Sequence, residues 1–125
     1  MIAVCAAADL TEGGTGVRFD VIVDGGPASA FVVRYRGAVA GFLNRCAHVA
    51  MELDWLPGLF FEDEGRFLMC ATHGAIYEPD TGACAGGPCL GRGGLLRLNV
   101  VEREGRIWWI PDAYVSAPAS DLTSS

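Results

Sequence analysis

The sequence predicts an all-β protein, an antiparallel sandwich or barrel base with a loop-rich subdomain inserted into it. Three observations carry this. Up to residue 44 the chain runs in short apolar stretches broken by turn signals, and from residue 95 an alternating run turns back on itself. Between them lies a glycine-rich stretch with no helical period. With 125 residues, 51% hydrophobic and 19% charged, the chain suits one globular domain with a real core.

Met1 to Ala8 is apolar but lacks a basic leader and is followed by Asp9 and Glu12, so it reads as an edge strand rather than a signal peptide. Val17 to Val23, Ala30 to Tyr35 and Ala38 to Leu43 read as strands joined by hairpin turns at Asp24-Gly25-Gly26-Pro27 and Arg36-Gly37. Leu95 to Glu102 alternates, with Leu96, Leu98 and Val100 facing inward, then turns at Glu104-Gly105 and returns as Arg106 to Ile110. The expected division is a base of residues 1–44 and 95–112, a subdomain of residues 45–94, and a tail of residues 113–125. That tail is rich in Ser, Ala and Pro, has little to bury, and is expected to fray.

Fifteen acidic residues against nine arginines and no lysine give a net charge of −6, which argues against nucleic acid and anionic membrane surfaces as partners. No apolar run approaches the roughly 20 residues that span a bilayer. Glu52, Asp54, Glu62, Asp63 and Glu64 crowd one stretch, as solvated loop charges or as a docking face for a basic protein. Five cysteines, an odd number, fit a reducing cytoplasm better than a disulfide framework.

The chemistry-bearing residues are Cys46-Ala47-His48 and Cys70-Ala71-Thr72-His73, which hold both histidines of the chain. Zinc accepts the same ligand types, but zinc fingers usually pair like with like, Cys with Cys and His with His. Here each motif offers one cysteine and one histidine, which suits two irons, thiolates on one and neutral imidazoles on the other. Gly74 follows the last ligand, and Gly82, Gly86, Gly87 and Pro88 lie downstream, a composition that lets backbone amides approach sulfide.

Residues 44–90 resemble a Rieske iron–sulfur domain, whose pattern is Cys-x-His, a loop, then Cys-x-x-His-Gly. The resemblance extends to Tyr77, to the turn Pro79-Asp80-Thr81-Gly82, and to Gly87-Pro88 at the position of that family's proline loop. It implies the Rieske fold and one [2Fe–2S] cluster, with Cys46 and Cys70 on the inner iron and His48 and His73 on the outer, solvent-facing iron. Gly74, Tyr77, Gly87 and Pro88 would surround the cluster or meet the partner.

High-potential members of the family add a cysteine to each ligand loop and join the two, and both extra cysteines are absent here. Ala75 also stands where those members place a serine that bonds a cluster sulfide. Fewer donors leave the reduced state less stabilised, so the expected potential lies toward the low end of the Rieske range of about −150 to +300 mV. The resemblance therefore implies a soluble Rieske ferredoxin, an electron carrier rather than an enzyme. It would take single electrons from a flavin-type reductase and pass them to a terminal oxygenase or other redox protein.

Two further readings come from the same resemblance. The electron-entry domain of an oxygenase needs a second iron site with two more histidines, and both histidines are already used. A small subunit of nitrite-reductase type often lacks ligands, whereas all four are present here. Cys84 and Cys89 flank the proline loop, where a disulfide between them is geometrically conceivable but disfavoured in a reducing compartment, so they are expected to be small, partly buried hydrophobes, and Cys5 to pack in the base. Trp55, Trp108 and Trp109 are expected to serve packing.

Overall fold

The computed structural model describes residues 2–45, 53–54, 58, 60–61, 65–70, 74–87 and 94–118. Its strands are β1 (Ile2–Ala6), β2 (Val17–Val23), β3 (Gly26–Tyr35), β4 (Ala38–Leu43), β5 (Leu68–Met69), β6 (Ile76–Tyr77), β7 (Cys84–Gly86), β8 (Arg97–Arg103), β9 (Arg106–Ile110) and β10 (Val115–Ser116). Seven form one sheet in the order β1-β9-β8-β4-β3-β2-β10, and β5-β6-β7 form a second. All these strand pairs are antiparallel.

The hairpins form where the turn signals stand. Asp24-Gly25, Arg36-Gly37 and Glu104-Gly105 each place two successive residues at positive φ, between 52° and 79°. That pattern matches the right-handed twist of the flanking strands, so β2–β3, β3–β4 and β8–β9 close without splaying. Val23 pairs with Gly26, Tyr35 with Ala38 and Arg103 with Arg106.

Strand β3 breaks the simple in/out alternation, because Ala30, Phe31, Val32 and Val33 are all fully buried. Both of its faces are covered. Ala30 packs with Leu43, Leu98, Trp109 and Val115 inside the large sheet. Phe31 and Val33 pack with Ala40 and Phe42 against Leu53, Phe60, Phe61, Leu68, Cys70, Ala75, Tyr77 and Leu95. The described core residues between β4 and β8 thus rest on the outer face of β3 and β4, with Phe31 stacked on Phe60 at a ring separation of 3.8 Å.

Three expectations need correction. Residues 113–118 do not fray: Val115 and Ser116 pair with Val23 and Ile22, and Val115 and Ala117 are buried. The Asp112 carboxylate causes the return by accepting the Tyr114 and Val115 amides, which turns the chain onto the free edge of β2. Leu96 is 41% exposed rather than inward, because the chain crosses there from one core, at Leu95, to the other, at Leu98. Residues 45–94 also hold the small sheet β5-β6-β7, whose two- and three-residue strands leave no periodic signal. Among the described residues no helix is long and apolar enough to cross a membrane.

Candidate metal centre

Cys70 is the described member of the expected ligand set, whereas Cys46, His48, His73 and Pro88 lie outside the described residues. Strand β5 delivers it. Met69 pairs with Ile76 and donates its N–H to Phe60 O at 2.8 Å, so the chain enters Cys70 fixed on both sides. The Cys70 amide donates to Ala75 O at 2.9 Å, and the Gly74 amide returns to Cys70 O at 2.8 Å. These two bonds tie Cys70 to Gly74 and Ala75, at the two ends of the second motif. Gly74 has φ +76°, where an L side chain would be strained.

The Cys70 side chain stands outside any disulfide and is fully buried, in one core cluster with Phe60, Leu68, Ala75 and Tyr77. A buried cysteine at the end of β5 suits a thiolate held by metal, since a bonded cation offsets the cost of burying the anion. Among the described residues no three or more His, Cys, Asp or Glu side chains come together, as expected when three of the four ligands fall outside them.

The stem of the proline loop reaches Gly74 and Ala75. Gly87 has φ +80°, and a Cβ placed on it would stand 2.8 Å from Gly74 O and 2.9 Å from Ala75 Cα. Only glycine allows the two backbones to touch. Gly74, Ala75 and Gly87 are therefore brought together. Tyr77 is fully buried on β6, opposite Leu68 and Cys84.

Two sequence readings change here. Cys84 is half of a disulfide rather than a thiol, while Cys5 and Cys70 stand outside disulfides. Cys5 sits half-buried on β1, where burial first, and the Asp9 carboxylate second, raise its thiol pKa against the opposing Arg34. Asp54 is not a solvated loop charge. It is buried, accepts the Gly58 amide at 2.9 Å and the Asn44 side-chain amide at 2.9 Å, and faces Arg18 at 3.5 Å. The signal for this was slight, a polar Asn44 ending an apolar strand just before the first motif. The tryptophans behave as expected where described: Trp109 packs on Phe19 at 5.2 Å, and Trp108 donates to Arg103 O.

Comparison with known proteins gives the same picture. The family profile of the Rieske [2Fe-2S] domain matches residues 1–108. No curated protein sequence matches the chain. Among solved structures, the ferredoxin of carbazole 1,9a-dioxygenase from Nocardioides aromaticivorans IC177 is 26% identical, with a TM-score of 0.65 over 94% of this chain and 96% of that one. A complex of reduced oxygenase and oxidized ferredoxin in carbazole 1,9a-dioxygenase matches at 26% identity and TM-score 0.63, over 85% of this chain and 97% of that one. The terminal oxygenase from Nocardioides aromaticivorans IC177 is 21% identical with TM-score 0.66, over 88% of this chain but 30% of the oxygenase chain.

Proposed function

Because the chain belongs to the Rieske [2Fe-2S] domain family, we propose that it is a Rieske ferredoxin that carries single electrons from a flavin-type reductase to a terminal oxygenase or similar redox protein. Domains of this family hold one [2Fe–2S] cluster. The observation that carries the reading is the meeting of three motif elements: the buried Cys70, the Gly74-Ala75 pair tied to it by two backbone bonds, and Gly87 packed on that pair. Near-complete mutual coverage with a ferredoxin, against 30% of an oxygenase chain, favours a carrier over an oxygenase.

In this reading Cys46 and Cys70 hold one iron as thiolates, and His48 and His73 hold the other as neutral imidazoles. Bound there, the cluster supplies a one-electron couple. The protein's part is to exclude water and to hold the ligands still, so that little reorganises when charge changes. Phe60, Leu68, Ala75 and Tyr77 do the first around Cys70. The paired amides of Cys70 and Gly74 do the second. The imidazoles of His48 and His73 would form the exit toward the partner, with Gly87 and Pro88 beside it. A partner seated over them shortens the path through bonds.

A cytoplasmic location belongs to this reading, with the Cys84 disulfide as the observation that pulls against it. Alkylation of the freshly lysed native protein, followed by mass measurement, decides whether Cys84 is oxidised in the cell.

The central test is spectroscopic. Purified protein should be red-brown, contain iron and sulfide in equal amounts, and after dithionite give an anisotropic EPR signal with average g below the free-electron value. Colourless protein holding zinc would overturn the reading. For the partners, a flavoprotein reductase with NADH should reduce the cluster, and the reduced protein should support turnover by a terminal oxygenase.

A further inference from the structure

The first ligand motif lies in sequence between Asn44, next after β4, and Leu53, and one side chain joins these two residues. The Asn44 backbone amide donates to Ser29 O at 2.8 Å, which seats the residue on the sheet. Its side-chain carbonyl accepts the Leu53 amide at 2.8 Å, while its side-chain amide donates to Asp54 Oδ1 at 2.9 Å. The orientation of the Asn44 amide follows from these partners, since Leu53 N–H can only donate and a carboxylate oxygen can accept. Asp54 uses its other oxygen to take the Gly58 amide at 2.9 Å, and Arg18 of β2 stands 3.5 Å from that same oxygen.

Arg18 is itself tied to the sheet through Ser29 Oγ at 3.2 Å. Asn44 is 4% and Asp54 7% exposed, and among the described residues no buried side-chain nitrogen or oxygen is left without a partner. Buried polar groups with full partners hold one geometry, because any other leaves a donor or acceptor unpaired away from water. Residue 44 lies two positions before Cys46, and the Leu53 amide closes the segment that holds both Cys46 and His48.

We propose that the Asn44–Asp54 pair is a clasp that sets the first ligand loop and so positions Cys46 and His48 at the cluster. The proposal rests on the Rieske reading. Both residues act through the ligands and touch no electron donor or acceptor themselves. Groups that orient metal ligands typically cost 10- to 100-fold in metal affinity when removed.

The test uses four full-length proteins: wild type, Asn44→Asp, Asp54→Asn, and the swap carrying both. Asn44→Asp sets two carboxylates against each other. Asp54→Asn leaves one oxygen to serve two N–H donors, Asn44 Nδ2 and Gly58 N. In the swap the three bonds return, the one between residues 44 and 54 with its direction reversed: residue 44 accepts from Leu53 and from residue 54, and residue 54 accepts from Gly58. The readouts are cluster-release half-life under a chelator, iron and sulfide per chain, the EPR g-values of the reduced form, and the melting temperature of the apo protein.

Each single variant is expected to release its cluster roughly 10-fold faster, with shifted or broadened g-values, and the swap to recover most of both. Singles with wild-type half-life and g-values would overturn the clasp, even if their melting temperature fell, since that outcome is a structural role alone. If the singles do not fold, the swap decides: a half-life roughly 10-fold or more below that of the wild type, or unfolded protein, counts against the proposal. A wild type without a [2Fe–2S] signal would instead reject the Rieske reading and leave the variants' hydrogen-bond logic aside.

Discussion

The large sheet and the segment between β4 and β8 are held together by different physics. In the sheet, six of the seven strands run five to ten residues, and β2–β3, β3–β4 and β8–β9 pair across two-residue turns in a register set by the pleat. In the segment, strands of two or three residues are too short to register themselves. Their backbone is tied instead by single contacts: Met69 to Phe60, Cys70 to Ala75, Asn44 to Leu53, Gly87 against Gly74. A scaffold that folds by pattern thus carries a site that folds by particular residues, and such a site has most to gain from a metal that joins its loops.

The strongest way to break this contrast is to remove the metal's grip. Cys70→Ser should abolish cluster binding altogether, because a neutral hydroxyl does not replace a thiolate on iron. The sheet should survive, with its β far-UV circular dichroism intact, while amide exchange in residues 65–87 speeds up. Loss of the sheet as well would show that the two regions form one cooperative unit. Phe31→Ala attacks the face they share. Phe31 is fully buried and stacked on Phe60, so about 3–5 kcal/mol of stability should be lost, and denaturant melts should show both regions failing together.

The same contrast explains what could be read from the sequence. Strands β2, β4 and β9 fall where their apolar runs stand, because Asp24-Gly25, Arg36-Gly37 and Glu104-Gly105 are local signals that a hairpin obeys whatever surrounds it. Cys70 could be found because metal chemistry demands particular residue types at close spacing. Leu96 and Val115 could not, since which core each faces depends on where the chain crosses between β3's two covered faces. Asp54 was read as a surface charge because its partners, Asn44, Gly58 and Arg18, are joined to it through space, by bonds with no period.

Gly87 sharpens the comparison at smaller scale. Gly87→Ala adds a Cβ at 2.8 Å from Gly74 O in a backbone of positive φ, so the stem must lift from Gly74 or strain must be stored. The expected cost is about 1–3 kcal/mol, confined to the segment. Cluster release should quicken while the apo sheet melts at the wild-type temperature. The equivalent change at Gly25, where a Cβ would meet nothing within 4 Å, brings backbone strain without a clash and should leave cluster release alone.

The smallest effect belongs to the sheet. Cys5 lies on β1 opposite Ile107, and burial, reinforced by Asp9, raises its pKa when folded. A thiol whose folded pKa is raised favours the neutral form, so its contribution to stability is whole below the unfolded value of about 8.5 and is lost as pH rises through the folded one. Folding should therefore weaken in mildly alkaline solution, and Cys5→Ala should flatten that slope when apo-protein melts are followed across the alkaline range. Half-burial keeps the effect small, because water still screens part of the thiolate. If the slope instead persists in Cys5→Ala, the titrating group lies elsewhere, and the sheet's pattern of apolar pairing carries no pH sensitivity of its own at β1.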